Sequence, residues 1–227
     1  MNRIGIVIFA RYSSLRFEGK VLKKIFNITL LDCIVARVLK SCHDLPIVIA
    51  TSNMKSDDKI VSHCLKKNYK VFRGSLKNVM KRAKDCCDFY NFEALVRICC
   101  DRPFIDYLQL REMINLFIKS DFDIFTNVFP RSYPKGLTIE IIKTSCLKNM
   151  DKEKIIYSDF EHIIDYFYRN NNLYKIKNFS TKKSMIDKIN LSIDTMDDLN
   201  FVEKIYKNNN YNFLTPTSTI LKQLLQR

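Results

Sequence analysis

The chain has 227 residues, 47% of them hydrophobic, enough to bury a sizeable core, and this excludes a largely disordered protein. Its formal charge of +14 favours anionic partners such as nucleotides, nucleic acid or an acidic surface, although lysine and asparagine spread along the whole chain make part of that excess compositional. Eight cysteines without a C-x-x-C pair argue against structural zinc and a disulfide framework, and no apolar run is long enough to span a bilayer, so the expectation is a soluble, cytoplasmic protein.

The first apolar run, Ile4 to Phe9, reads as a buried strand. It exits into Ala10-Arg11-Tyr12-Ser13-Ser14-Leu15-Arg16-Phe17-Glu18-Gly19-Lys20, which gathers three cations and two hydroxyls at one point. Arg11 and Arg16 have the planar guanidinium that grips phosphate oxygens in pairs, Lys20 is a compact mobile charge, and Gly19 permits a sharp turn. Such a loop at the carboxyl end of a strand suits a polyphosphate; the plain alternative is a solvated basic loop.

Further strands are predicted at Ile47 to Thr51, Lys70 to Phe72, Ala94 to Ile98 and Asp123 to Thr126. Between them lie predicted helices near Thr29 to Ser41, Ser56 to Lys67, Leu76 to Tyr90 and Tyr107 to Lys119, where apolar residues recur at three and four. The alternation predicts an α/β fold with a doubly wound, mostly parallel sheet.

Asp101 follows the fourth of these strands, so it shares the carboxyl edge with the basic loop. Beside a polyphosphate it suits Mg²⁺, which needs only one or two carboxylates from a protein; Asp106 fits better as a helix cap. From Pro130 a turn-rich loop opens an expected excursion to about residue 190, with a strand at Leu137 to Ile142 and a helix around Asp159 to Tyr168. Ile189 to Ile193 is expected to be a returning strand. Asp194 follows it as either a second metal ligand or a cap for the helix Leu199 to Tyr206. Residues 1–208 are thus expected to form a single domain, with 209–227 peripheral and a helix at Ser218 to Leu225. His43 and His63 read as surface or capping residues.

These blocks carry a resemblance in order. The loop Ala-Arg-x-Ser-Ser-x-Arg-x-x-Gly-Lys, Ile49-Ala50-Thr51-Ser52 with Asp57-Asp58, Val71-Phe72-Arg73-Gly74-Ser75, Val96-Arg97-Ile98 with Asp101-x-Pro103-x-Ile105-Asp106, Glu161-His162 and Asp194-Thr195-x-x-Asp198-Leu199 together resemble the cytidylyltransferases that make CMP-linked acid sugars. The short spore-coat-polysaccharide branch is the most similar. The resemblance implies a Rossmann-like nucleotidyltransferase sheet with an inserted dimerisation or sugar-side subdomain, and transfer of CMP from CTP to a sugar or sugar acid with release of pyrophosphate. It implies Ala10, Arg11, Ser13, Ser14, Arg16 and Lys20 around the CTP phosphates, with Lys20, Arg11 and Arg16 catalytic. It further implies Arg73, Gly74 and Ser75 near the cytidine, and Mg²⁺ on Asp101 and Asp194. Arg97, Glu161 and His162 fall toward the substrate side, and a homodimer is implied. Arg102 departs from the pattern, standing where relatives usually carry a small or polar residue.

Two other readings compete. A sugar 1-phosphate nucleotidylyltransferase using another nucleotide is disfavoured because no early glycine-rich loop is present. A basic nucleic-acid-binding protein is disfavoured because the aromatics sit within apolar patterns and no RNA-binding signature appears.

Overall fold

The structure is a computed structural model that describes residues 3–14, 16–42, 44–181 and 189–226. His43, read above as a surface or capping residue, lies outside these.

Strand β1 (Ile4–Phe9) is buried at every position. Its alternation sends Ile4, Ile6 and Ile8 into one core and Val7 and Phe9 into another, which is why it reads as a continuous apolar run. A small antiparallel hairpin, β2 (Lys24–Ile25) and β3 (Ile28–Thr29), leads into α1 (Leu30–Ser41), whose N-cap Thr29 accepts from the Asp32 N–H. Next come β4 (Ile47–Ser52), α2 (Asp58–Lys66), β5 (Lys70–Gly74), α3 (Val79–Tyr90), β6 (Ala94–Cys99) and α4 (Tyr107–Ile118). Asp106 caps α4 as expected, accepting from Leu108 and Gln109. Then follow β7 (Ile124–Thr126), β8 (Glu140–Lys143), α5 (Thr144–Lys148), α6 (Ile163–Arg169), β9 (Ile176–Asn178), α7 (Met196–Asn208) and α8 (Thr217–Leu225).

Seven strands form one sheet in the order β5-β4-β1-β6-β8-β7-β9, parallel except for β8, which is antiparallel to both neighbours. Residues of α1, α4, α7 and α8 fill the core on one face, and those of α3, α5 and α6 fill the other. The sheet is therefore doubly wound and mostly parallel, as the alternation predicts. The stretch expected to form an excursion contributes β8 and β9 to this same sheet. The peripheral C-terminal segment is pinned to the body by Arg37, fully buried, which donates to the carbonyls of Phe213 and Thr215 and to Thr217 Oγ1.

Three expectations need correction. The strand predicted from Leu137 begins only at Glu140, because the Asn127 side chain takes the Leu137 carbonyl and the Ile139 N–H that a ladder would have used. The stretch Ile189 to Ile193 makes one isolated bridge, Lys135 to Asn190, and its Ile193 N–H goes instead to the Asp101 carbonyl. The acidic-aromatic helix starts at Ile163 behind a 3₁₀ turn, Tyr157–Phe160, because buried Asp159 accepts from the Ile156 N–H and from both terminal nitrogens of Arg169. His63 also has a partner that spacing did not reveal: its Nε2 lies 2.9 Å from Asp32 Oδ1.

Candidate active site

Strands β1, β4 and β6 run parallel, so they end on one edge, where open α/β sheets bind ligands. The basic loop leaves β1 there and closes on itself. Gly19 donates to the Tyr12 carbonyl at 2.8 Å with φ +67°, and a Cβ at this position would meet the Tyr12 ring at 2.8 Å. Asp57, fully buried, anchors the other end: Oδ1 accepts from the Tyr12 N–H at 2.7 Å, and Oδ2 accepts from the Ser52 N–H at 2.9 Å and from its hydroxyl. The loop is thus held by backbone bonds, which leaves its cationic side chains for other partners.

Each cation faces a carboxylate. Arg11 lies 2.9 Å from Glu161, Arg16 3.1 Å from Asp194, and Lys20 Nζ 2.8 Å from both Asp194 and the Ile193 carbonyl. Burial alone would push the Asp194 carboxyl up, but the hydrogen bond and charge of Lys20, with Arg16, hold it below its ordinary value. Asp194 is not the cap of α7. Thr195 is, and the Asp198 carboxylate closes a capping box by accepting from Asp194 N–H and Thr195 N–H. Asp101 comes alongside through the Ile193 N–H bond to its carbonyl, 2.9 Å long.

These groups share one cavity of about 540 Å³. Ala10, Arg11, Ser14, Arg16 and Lys20 line it together with Asp101 and Asp194. Arg97, Glu161 and His162 complete the wall opposite the loop. Ser13 faces the adjoining depression, which Ser14, Glu161 and His162 also border. Gly74 and Ser75 line a third, next along the surface. The Arg73 guanidinium is committed to the Ser52 and Met54 carbonyls and to Asp58, where it braces the turn after β4.

Sequence reasoning missed Arg82. It is 2% exposed on α3, crosses the Phe9 ring at 5.7 Å, and donates to the Ser75 carbonyl at 3.0 Å. Gly74 makes room for it, since a Cβ there would lie 2.8 Å from the Arg82 side chain. Burial lowers its pKa, against the charges of Asp57 and Glu161. The signal was present, because Arg82 interrupts the apolar stripe Val79, Ala83, Cys86 of its helix.

The donor set suits a hard cation. Among the described residues Asp101 Oδ1 is buried without a hydrogen-bond partner, its nearest cation being Arg102 Nε at 3.7 Å, and the Asp194 carboxylate lines the same cavity. Among the described residues no cluster of three or more His, Cys, Asp or Glu side chains could enclose a metal. Two carboxylates completed by phosphate and water are what Mg²⁺ uses beside a nucleotide.

Comparison with known proteins identifies the family. The chain is 28% identical over 214 residues to the spore coat polysaccharide biosynthesis protein SpsF of Bacillus subtilis, covering 91% of this chain and 88% of that protein. It resembles the structure of a cytidylyltransferase from Leptospira borgpetersenii, with TM-score 0.92 and 27% identity over 100% of this chain and 95% of that one. A CMP:2-keto-3-deoxy-manno-octonic acid synthetase complexed with CTP shares the fold at TM-score 0.68 and 14% identity, over 92% of this chain and 100% of the other. The cytidylyltransferase family model matches residues 5–218, nearly the whole sheet with both cores, and the chain belongs to the cytidylyltransferase family.

Proposed function

We propose that this protein transfers CMP from CTP to a sugar or sugar acid and releases pyrophosphate, in the making of cell-surface polysaccharide or glycan. One observation carries the reading: three cations of a backbone-braced loop and two carboxylates from segments far apart in the chain meet in a single cavity. In this reaction an acceptor oxygen attacks the α-phosphorus of CTP in line. A new P–O bond forms, the bond to the bridging oxygen breaks, pyrophosphate leaves with the electron pair, and an attacking hydroxyl gives up its proton to solvent.

Little covalent chemistry falls to the protein, whose work is positioning and charge stabilisation. Arg11, Arg16 and Lys20 exchange their carboxylate partners for triphosphate oxygens, which are better matched to a guanidinium fork. Asp101 and Asp194 would hold Mg²⁺, which when bound neutralises phosphate charge and polarises the reacting phosphoryl group. Gly74 and Ser75, with the backbone braced by Arg73, face the nucleoside side, and Arg97, Glu161 and His162 face the acceptor. No helix among the described residues is long and apolar enough to cross a membrane, which accords with our placing the enzyme in the cytoplasm. We place it there as a homodimer.

The test is a nucleotide screen. Mg²⁺ with CTP should raise the unfolding temperature by several degrees more than ATP, GTP, UTP or dTTP, and CTP alone should support pyrophosphate release with candidate sugar acids and sugar phosphates. A preference for another nucleotide would reassign the reaction. A salt-sensitive shift with DNA or RNA, without nucleotide turnover, would replace it by nucleic-acid binding.

A further inference from the structure

The acceptor wall is more cationic than a sugar with a single carboxylate requires. Arg97, at the end of β6, is 8% exposed and places Nη1 2.5 Å from Glu140 Oε2, while its Nε has no hydrogen-bond partner among the described residues. Arg102, from the next loop, gives Nη1 to the Thr138 carbonyl at 2.7 Å. Its nearest carboxylate oxygen, on Asp101, is 3.7 Å away, beyond hydrogen-bond reach. Behind them Arg131 lies 3.4 Å from Thr138 Oγ1, and burial together with the Arg102 charge pushes its pKa down. Glu140 is thus bonded to Arg97 and accepts from the Tyr168 hydroxyl, Arg102 has only the long Asp101 contact, and Arg131 has no carboxylate in ion-pair range among the described residues.

Positive charge partly withdrawn from water without counter-charge is costly, and a ligand that supplies the missing anion is correspondingly favoured. The loop cations do not compete for that role, because each already faces Glu161 or Asp194 and, on the reading above, turns to the triphosphate. Asp101 is likewise reserved for the metal. With Asp101 turned to the metal, Arg102 and Arg131 lack a bonded carboxylate while Arg97 keeps Glu140, and this matches two negative charges better than one.

We propose that the acceptor carries a phosphoryl group, a dianion held by Arg97 and Arg102 with Arg131 behind them. This rests on the cytidylyl transfer proposed above and names its acceptor class as a phosphorylated sugar or polyol. The phosphoryl group is a binding handle gripped by planar guanidinium forks, and the attacking oxygen is a hydroxyl of the same molecule.

The experiment uses the full chain saturated with Mg²⁺ and a non-hydrolysable CTP analogue, so that the triphosphate site is filled. Inorganic phosphate and acetate are then titrated separately as probes while the unfolding temperature is followed. Phosphate should raise it further and acetate should not, and Arg102→Gln should weaken the phosphate response at least tenfold while keeping the response to the CTP analogue. Equal responses to phosphate and acetate would overturn the proposal. So would a phosphate response untouched by Arg102→Gln. The wild-type comparison decides even if the variant folds poorly. Absence of any response to the CTP analogue would instead defeat the cytidylyl-transfer reading itself. As a second readout, pyrophosphate release from CTP should be at least tenfold faster with polyol phosphates than with their dephosphorylated forms or with sugar acids.

Discussion

On the proposed function, Lys20 is the residue that exchanges a protein carboxylate for substrate phosphate. Its Nζ is held by Asp194 and the Ile193 carbonyl, and its side chain is only 13% exposed, so its position is set before any ligand arrives. Removing one preorganised donor to a developing phosphate charge costs about 10²–10³ in rate. Lys20→Ala should therefore lower kcat for pyrophosphate release by about that factor, and steady-state kinetics will show whether the loss is in kcat or only in KM. Asp57 acts at one remove, through the backbone. With both carboxylate oxygens bonded and no exposure, Asp57→Ala leaves buried donors at Tyr12 and Ser52 unsatisfied and should destabilise the fold by about 3 kcal/mol in urea titration. Asp194 gives the acid dependence. Because its folded pKa lies below the ordinary 3.8, its stabilisation is present above that value and fades as pH falls through the depressed folded value. Asp194→Asn should thus flatten the loss of stability below about pH 4 in thermal melts, relative to the wild type.

At the scale of elements, the site depends on how strand ends are terminated. The capping box puts the N-cap of α7 at Thr195, one residue beyond Asp194, which frees that carboxylate to face the cavity; spacing alone left Asp194 open between cap and ligand. Asp106 takes the opposite role because its side chain reaches the Leu108 and Gln109 N–H groups. The C-terminal helix α8 is joined to the body by the carbonyl and hydroxyl bonds of Arg37, whose charge also lies over the Tyr107 ring at 5.2 Å. Arg37→Leu strands those carbonyls and should cost about 3 kcal/mol, with α8 the first segment to lose amide protection in hydrogen exchange.

Across the whole molecule, β1, β4, β5, β6 and β7 of the large sheet were legible, whereas the start of β8 and the whole of β9 were not. Strands β1, β4 and β6 are covered on both faces, so their apolar runs mark them with ends placed to within a residue. The strand at Leu137 and the return at Ile189 to Ile193 were misplaced because side chains of Asn127 and a lone contact to Asp101 took the bonds a ladder would have used, and periodicity cannot register such exchanges. The basic loop was readable as a cluster of cations because its residues are local in sequence. The Arg97–Glu140 and Asp32–His63 pairs were not, since each joins residues distant in the chain, and Arg82 showed only as a break in an apolar stripe. On the function proposed above, loop and carboxylates converge on one metal–triphosphate complex, which joins these scales. Calorimetric titration of CTP, with Mg²⁺ and with a chelator, into the wild type and Asp101→Ala tests this most directly. The wild type should bind CTP at least tenfold more tightly with Mg²⁺, and Asp101→Ala, still folded, should lose that gain together with pyrophosphate release. Equal Mg²⁺ dependence in the two proteins would contradict the account.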